Sequence, residues 1–207
     1  MFIEKLREKF NINEPIFTNE ILELFDEFTR AYVFRLINKA KDMGELVQFD
    51  NGVYYIPQKT ILGISTITAD DVINKKYIQN GNNIYGVYSG LKLQNIFSVT
   101  TQMPNTVEIV TNNETMRCRK VEIDGRRFIL RKSRCPISKT NADAYTVLQL
   151  FNDMGTRMKL DNWAKEKVIR FIKINNVSAR ELMNLATVFP AQTTKNLIVS
   201  GVLNEIA

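Results

Sequence analysis

The chain has 207 residues and a net charge of +6 at neutral pH, with 28 lysines and arginines against 22 aspartates and glutamates. Hydrophobic residues make up 44% and charged residues 24%, a balance suited to one large or two small globular domains. Histidine is absent, which excludes Ser-His-Asp and Cys-His catalysis, imidazole bases and imidazole metal ligands, and leaves carboxylate and lysine chemistry open.

Cys118 and Cys135 are too few for a disulfide framework or a four-thiolate metal site, and are expected to be buried thiols. No apolar run reaches the ~18 residues of a membrane span. The opening Met1-Phe2-Ile3-Glu4-Lys5-Leu6-Arg7 breaks its apolar positions with charge, unlike a secretory leader. A cytoplasmic protein with no membrane contact is the expectation.

In chain order, Phe2, Ile3, Leu6 and Phe10 mark a first helix. Phe17-Thr18-Asn19-Glu20 offers a polar cap ahead of Ile21 and Leu22. Val33, Leu36, Ile37 and Ala40 recur at helical spacing, and Gly44 stops that helix. Leu46–Phe49 and Val53–Ile56 read as short strands about Asp50-Asn51-Gly52, a strong hairpin signal, and Pro57 ends the second. Helix, helix, glycine, hairpin, proline is the order of a winged helix-turn-helix, so residues 1–57 are expected to form a DNA-binding domain whose second helix of the motif enters the major groove.

Stepping about 100° per residue along Thr29–Met43 gathers Val33, Leu36, Ile37 and Ala40 on one side. Ala31, Arg35, Asn38 and Lys39 project from the other, and Arg30 and Tyr32 occupy the first turn, where groove-reading residues sit. Arg35 suits bidentate pairing with guanine and Asn38 suits adenine. Lys41 and Lys59 suit phosphate contacts. The alternative is a solvated helix face. The tip Asp50-Asn51-Gly52 lacks a cation, and this puts minor-groove reading by the wing in doubt.

Residues 58–68 contain Gly63 and no clear period, and mark a boundary. The second unit, 69–138, opens with the cap Thr68-Ala69-Asp70-Asp71, continues as a helix through Val72, Ile73 and Tyr77, and ends near Gly81. Ile84–Leu93 reads as a loop entering a short helix. Val107–Val110, Arg119–Ile123 and Phe128–Leu130 read as strands, the last two joined at Asp124-Gly125. This unit is expected to be α+β with a small, mostly antiparallel sheet. Residues 139–207 are expected to be helical, with Ala142, Tyr145, Val147, Leu148 and Leu150 on one helix. Trp163, Val168, Ile169, Phe171 and Ile172 mark a second helix, and Ser178-Ala179-Arg180-Glu181 caps a third. The whole is an α+β protein.

Charge is unevenly placed. Residues 1–60 hold 8 basic and 10 acidic residues, 61–138 hold 11 and 6, and 139–207 hold 9 and 6. Arg117, Arg119, Lys120, Arg126, Arg127, Arg131, Lys132 and Arg134 cluster about one hairpin. Alternation places Arg117 and Arg119 on one strand face with Val121 and Ile123. The cluster fits a phosphate-binding surface, a dock for an acidic partner, or a solubilising sheet face. Only Glu122 and Asp124 lie close by in sequence, so it is not expected to be neutralised in place.

Glu108, Glu122 and Asp124 lack the lysine of a nuclease carboxylate set, and Gly81, Gly86 and Gly90 are too irregular for a phosphate-cradling loop. Tyr85, Tyr88 and Ser89 suit turn and core positions better than a groove lining.

Gly86-Val87-Tyr88-Ser89-Gly90 and the stretch Thr100-Thr101-Gln102-Met103-Pro104 through Val107-Glu108-Ile109-Val110-Thr111-Asn112 resemble the AbiEi family of antitoxins, from abortive-infection AbiE-type, type IV toxin–antitoxin systems. The specific motif spans residues 86–112, and the order of elements resembles the family over most of the chain. The resemblance implies a non-enzymatic protein without cofactor or metal. It implies that the winged helix binds double-stranded DNA of its own promoter, and that the C-terminal portion serves to counteract a nucleotidyltransferase-like toxin from the neighbouring gene. A stand-alone regulator with a C-terminal oligomerisation or sensing domain is the alternative, and a carboxylate nuclease is a third class.

Overall fold

In the computed structural model, which describes residues 2–61, 63–156 and 160–206, the chain is mixed α+β and divides into two units. The first comprises Met1–Lys75 with Ile123–Gly125, and the second Lys76–Glu122 with Arg126–Ala207.

The first unit begins with α1 (Phe2–Lys9), whose Leu6 is fully buried. The two-residue strand β1 (Ile16–Phe17) leads into α2 (Thr18–Leu24). Thr18 is the first helical residue rather than the cap. The Glu20 carboxylate instead accepts the Phe17 N–H at 2.8 Å, satisfying one donor that the helix start leaves orphaned. Helix α3 (Arg30–Asp42) is capped by Thr29, whose hydroxyl accepts the Tyr32 N–H. It buries Val33, Ile37 and Ala40, the period expected from the sequence. Gly44, at φ +68°, turns the chain out of the helix.

Strands β2 (Val47–Asp50) and β3 (Val53–Tyr55) pair antiparallel, with a register shift between Gln48 and Asp50, and β1 pairs with the other edge of β3. The connecting turn is more than a link between strands. The Gly52 carbonyl accepts both the Thr18 N–H at 3.0 Å and the Thr18 hydroxyl at 3.2 Å, which fastens the hairpin tip to the start of α2. A Cβ at Gly52 would sit 3.2 Å from that hydroxyl oxygen on a backbone already at φ +74°, so the position needs glycine. One face of the sheet joins Leu6, Phe10, Ile16, Ile21, Val33, Ile37 and Tyr54 in the main core. The other carries Val53 and Tyr55 against Ile67, Val72 and Ile123. Strands β4 (Lys59–Thr60) and β5 (Gly63–Ile64) form an exposed two-residue ladder, followed by α4 (Ala69–Ile73), which has a full capping box from Thr68 and Asp71. The turns widen into a π-helix at Asn74–Ile78.

The unit closes around one buried ammonium. Lys75 is 7% exposed, with Nζ 2.9 Å from Glu14, 3.0 Å from Glu20 and 2.7 Å from the Pro15 carbonyl oxygen. Phe10 lies beneath it at 4.8 Å. Burial alone would raise the Glu14 carboxyl, but hydrogen bonds from Lys75 and Asn11 hold it below the ordinary range.

The second unit starts with the small ladder β6 (Gln79–Asn80) and β7 (Asn83–Ile84), then β8 (Gly86–Ser89) and α5 (Gly90–Ile96). Strands β9 (Thr106–Thr111), β10 (Arg119–Ile123) and β11 (Arg126–Lys132) complete a sheet of order β10-β11-β9-β8. The expected small sheet is present, with a mixed character: β8 pairs antiparallel with β9, whereas β11 runs parallel to β9, placing Phe128 beside Val107 and Ile129 beside Glu108. Gly86 is where two backbones nearly touch. A Cβ there would fall 2.0 Å from the Tyr77 carbonyl oxygen.

Helices α6 (Ala142–Asp153), α7 (Asn162–Ile174), α8 (Ala179–Ala186) and α9 (Ala191–Val199) follow. α6 is buried on nearly every side, as its apolar sequence requires, and its Tyr145, Leu148 and Phe151 share a core with Val87, Leu93 and Val110 of the preceding segment. The apolar cluster is thus continuous across residue 139, where a boundary between two units was expected. Among the described residues, no helix is long and apolar enough to cross a membrane.

Replacing Lys75 by Met strands two carboxylates, and Lys75→Met is expected to cost about 3–5 kcal/mol in chemical denaturation. Because Glu14 is held low, its contribution in the unmodified protein is present above the ordinary carboxylate value and lost as pH falls through the lowered one. In Lys75→Met that acid-side loss is expected to shrink. An unchanged denaturation midpoint would remove the ammonium from its structural role.

Candidate nucleic-acid interface and polar pocket

Two surfaces carry the candidate residues, one in each unit. On α3, burial of Val33, Ile37 and Ala40 leaves Arg30, Tyr32, Arg35, Asn38 and Lys39 facing solvent. Arg30 lies over the Phe34 ring at 5.6 Å and Arg35 over Tyr32 at 5.1 Å, contacts that orient the guanidinium groups while leaving their hydrogen-bond donors available. Tyr32 packs at a tilt on Phe28, which stacks in turn on Phe25. Arg30, Arg35 and Lys39 have no carboxylate partner among the described residues. Lys41 differs: its ammonium donates to the Gln48 side chain on β2, so it braces the hairpin. Lys59 is exposed on β4. At the hairpin tip, Asn51 is exposed and its N–H donates to the Asp50 carboxylate at 2.6 Å.

The basic cluster of the second unit does not act as one patch. Arg119 is drawn to Glu114 at 2.6 Å and to the Tyr77 hydroxyl at 3.1 Å. Glu114 is 4% exposed; burial works against its charge, but the Met116 and Thr115 N–H groups and Arg119 hold its carboxyl below the ordinary range. Arg131 donates from Nε and Nη2 to the same Glu108 oxygen at 3.0 and 2.9 Å. Two members are therefore neutralised in place, contrary to the expectation from nearest neighbours in sequence. Arg117 precedes β10 rather than sharing its face with Arg119. Arg126 and Arg127 are exposed at the far end of β11 from Lys132, and Lys120 is exposed on β10. Cys118 is exposed, not buried as expected; Cys135 is half-buried, and burial pushes its thiol up.

Arg117, Arg131, Lys132 and Arg134 instead gather at a pocket of about 790 Å³. Its inner wall is organised by Asp153, the last residue of α6. Oδ2 accepts the Ser89 hydroxyl at 2.9 Å and the Gly90 N–H at 2.6 Å. Oδ1 accepts Gln149 Nε2 at 2.7 Å and Asn152 Nδ2 at 3.3 Å. Burial raises the Asp153 carboxyl, and these four donors oppose the rise without cancelling it. Gly90, at φ +62°, lets the chain pass Glu108: a Cβ there would stand 2.9 Å from the carboxylate oxygen. Ser89 is buried and serves this network, but it also lines the pocket, the role that the sequence reading set below a turn or core position.

Asp153, Gln149 and Asn152 were not singled out from sequence. Their signal is a polar i, i+3, i+4 set at the end of an otherwise apolar helix. Glu108, one of the carboxylates considered for nuclease chemistry, is paired with Arg131. No protein-family model matches the chain, and no curated protein matches it.

Because Asp153 has a raised pKa, its native form holds the proton more tightly than the unfolded chain does. Stability is expected to decline as pH climbs from the ordinary Asp value through the raised one, by at most about 1.4 kcal/mol per pH unit for a single proton. Asp153→Asn is expected to abolish that decline in denaturation curves taken across the acidic and neutral range. The same slope in both proteins would assign the linkage to another group.

Proposed function

We propose that this protein is a DNA-binding antitoxin and transcriptional autorepressor of the AbiEi kind, its first three helices and β2–β3 hairpin serving as a winged helix-turn-helix. The observation that carries this reading is the solvent-facing side of α3. Arg30, Arg35 and Lys39 are exposed cations without a carboxylate partner among the described residues, on a helix anchored from behind by Val33, Ile37 and Ala40. A helix anchored in this way can enter a major groove without repacking. In this reading Arg35 and Asn38 read base edges, Arg30, Tyr32 and Lys39 flank them, and Lys41 positions the hairpin beside the backbone.

The second part of the proposal rests on the resemblance of residues 86–112. The protein counteracts a nucleotidyltransferase-like toxin from the adjacent gene, by direct contact or by opposing its effect. It has no catalytic residue, cofactor or metal in this reading, and works in the cytoplasm. A stand-alone regulator with a sensing domain is the second reading, favoured by the pocket around Asp153.

Arg35→Ala is expected to weaken promoter binding by roughly 5- to 150-fold, the equivalent of losing one bidentate contact of about 1–3 kcal/mol, with the fold intact. Unchanged mobility shifts would exclude α3 as the reading helix. Replacing Arg126 and Arg127 together by Ser should flatten the salt dependence of DNA binding if the hairpin touches phosphate. Unaltered DNA binding with failed rescue of cells expressing the adjacent gene would make the pair a partner contact. Rescue by neither the full chain nor a chain lacking residues 1–57 would refute the antitoxin reading.

A further inference from the structure

We infer that the pocket of the second unit is a binding site for a nucleotide-sized phosphorylated small molecule, with Arg117, Lys132 and Arg134 holding the phosphate. The inference is independent of DNA reading by α3, which lies in the other unit.

The charges at the pocket divide into two kinds. Glu108 and Arg131 satisfy one another, and Asp153 spends its lone pairs on four internal donors. Arg117 and Lys132 have no partner of either kind among the described residues, and Arg134 meets only a neutral amide oxygen, Asn152 Oδ1 at 3.5 Å, and the Phe189 ring. Four cations against two carboxylates leave an excess of two positive charges at a concave surface, which attracts an anion far more strongly than the same charges spread over a convex face. Guanidinium and ammonium donors of this kind are those that bind phosphate oxygens.

Size and lining extend the argument beyond a bare phosphate. A volume of about 790 Å³ falls within the range of small-molecule sites and leaves most of the space to an organic body. That space is bordered by the neutral polar groups of Gln149, Asn152 and Thr115 beside apolar Leu91 and Val110, a mixture suited to the edges and face of a ring. The wall is pre-formed. Asp153 ties the ends of β8 and α6 and the start of α5 into one network, so a ligand would not have to order them.

The probes are the four ribonucleoside diphosphates, inorganic pyrophosphate and a promoter DNA duplex, titrated by calorimetry into the full chain. Saturable one-to-one binding of at least one nucleotide is expected, tighter than pyrophosphate, and weakened at least tenfold in the double variant Arg117→Ser, Lys132→Gln. Those two side chains are exposed and unpaired, so the variant is expected to keep the circular dichroism and denaturation midpoint of the parent. Pyrophosphate binding as tight as every nucleotide would overturn the organic part of the inference. Failure of all four nucleotides to bind, or binding unaffected by the double variant, would overturn it entirely. A variant that loses only affinity for the duplex would assign these cations to nucleic acid instead. A failure of Arg35→Ala to weaken promoter binding would leave this site untouched, so the two proposals fail separately.

Discussion

The carboxylate of Asp153 is the constraint on which the second unit's architecture turns. A charge placed among apolar helices is expensive unless its oxygens are fully bonded, and hydrogen bonds to a charged group contribute roughly 1.5–3 kcal/mol each. Here the bonds come from the end of β8, the start of α5 and the preceding turn of α6. The group therefore fixes where three elements meet, at the cost of a carboxyl that burial raises above its ordinary range. Gly90 permits this meeting, because any side chain there would press on Glu108 and disturb its pairing with Arg131.

The two cationic surfaces differ in how their charges are held. On α3 the guanidinium groups rest on aromatic rings, in a segment with more acidic than basic residues overall. Any attraction of a polyanion to that helix would be local and short-ranged, screened within about 8–10 Å at ordinary salt. In the second unit, the cations that brace the fold, Arg119 and Arg131, are distinct from those that remain open at the pocket, Arg117 and Lys132. Counting arginines along the chain merges these two roles, whereas pairing distinguishes them.

Much of the first unit was legible in the sequence because its signals are local. Gly44 ends α3 and Asp50-Asn51-Gly52 turns the hairpin, each through a backbone preference that neighbouring residues cannot easily override, while Thr29, expected as the first helical residue, is its cap. The period of Val33, Ile37 and Ala40 likewise identifies the outward face of α3. What escaped was non-local. The parallel pairing of β9 with β11 depends on a strand arriving from beyond β10, and a run such as Phe128–Leu130 looks the same in either direction. The Glu108–Arg131 pair follows from that register, 23 residues apart in sequence. Lys75 finds Glu14 across 61 positions, a separation at which no spacing rule operates. The pocket was hidden for the same reason: its cations come from the hairpin region and its inner wall from α6.

The unequal accessibility of the two cysteines gives the molecule a built-in chemical handle. Cys135 is half-buried with its thiol pushed toward the protonated, unreactive form, whereas Cys118 stands in solvent, one residue along the chain from Arg117. A maleimide dye would therefore select Cys118 without prior mutagenesis, and place a single label on the segment that leads into β10.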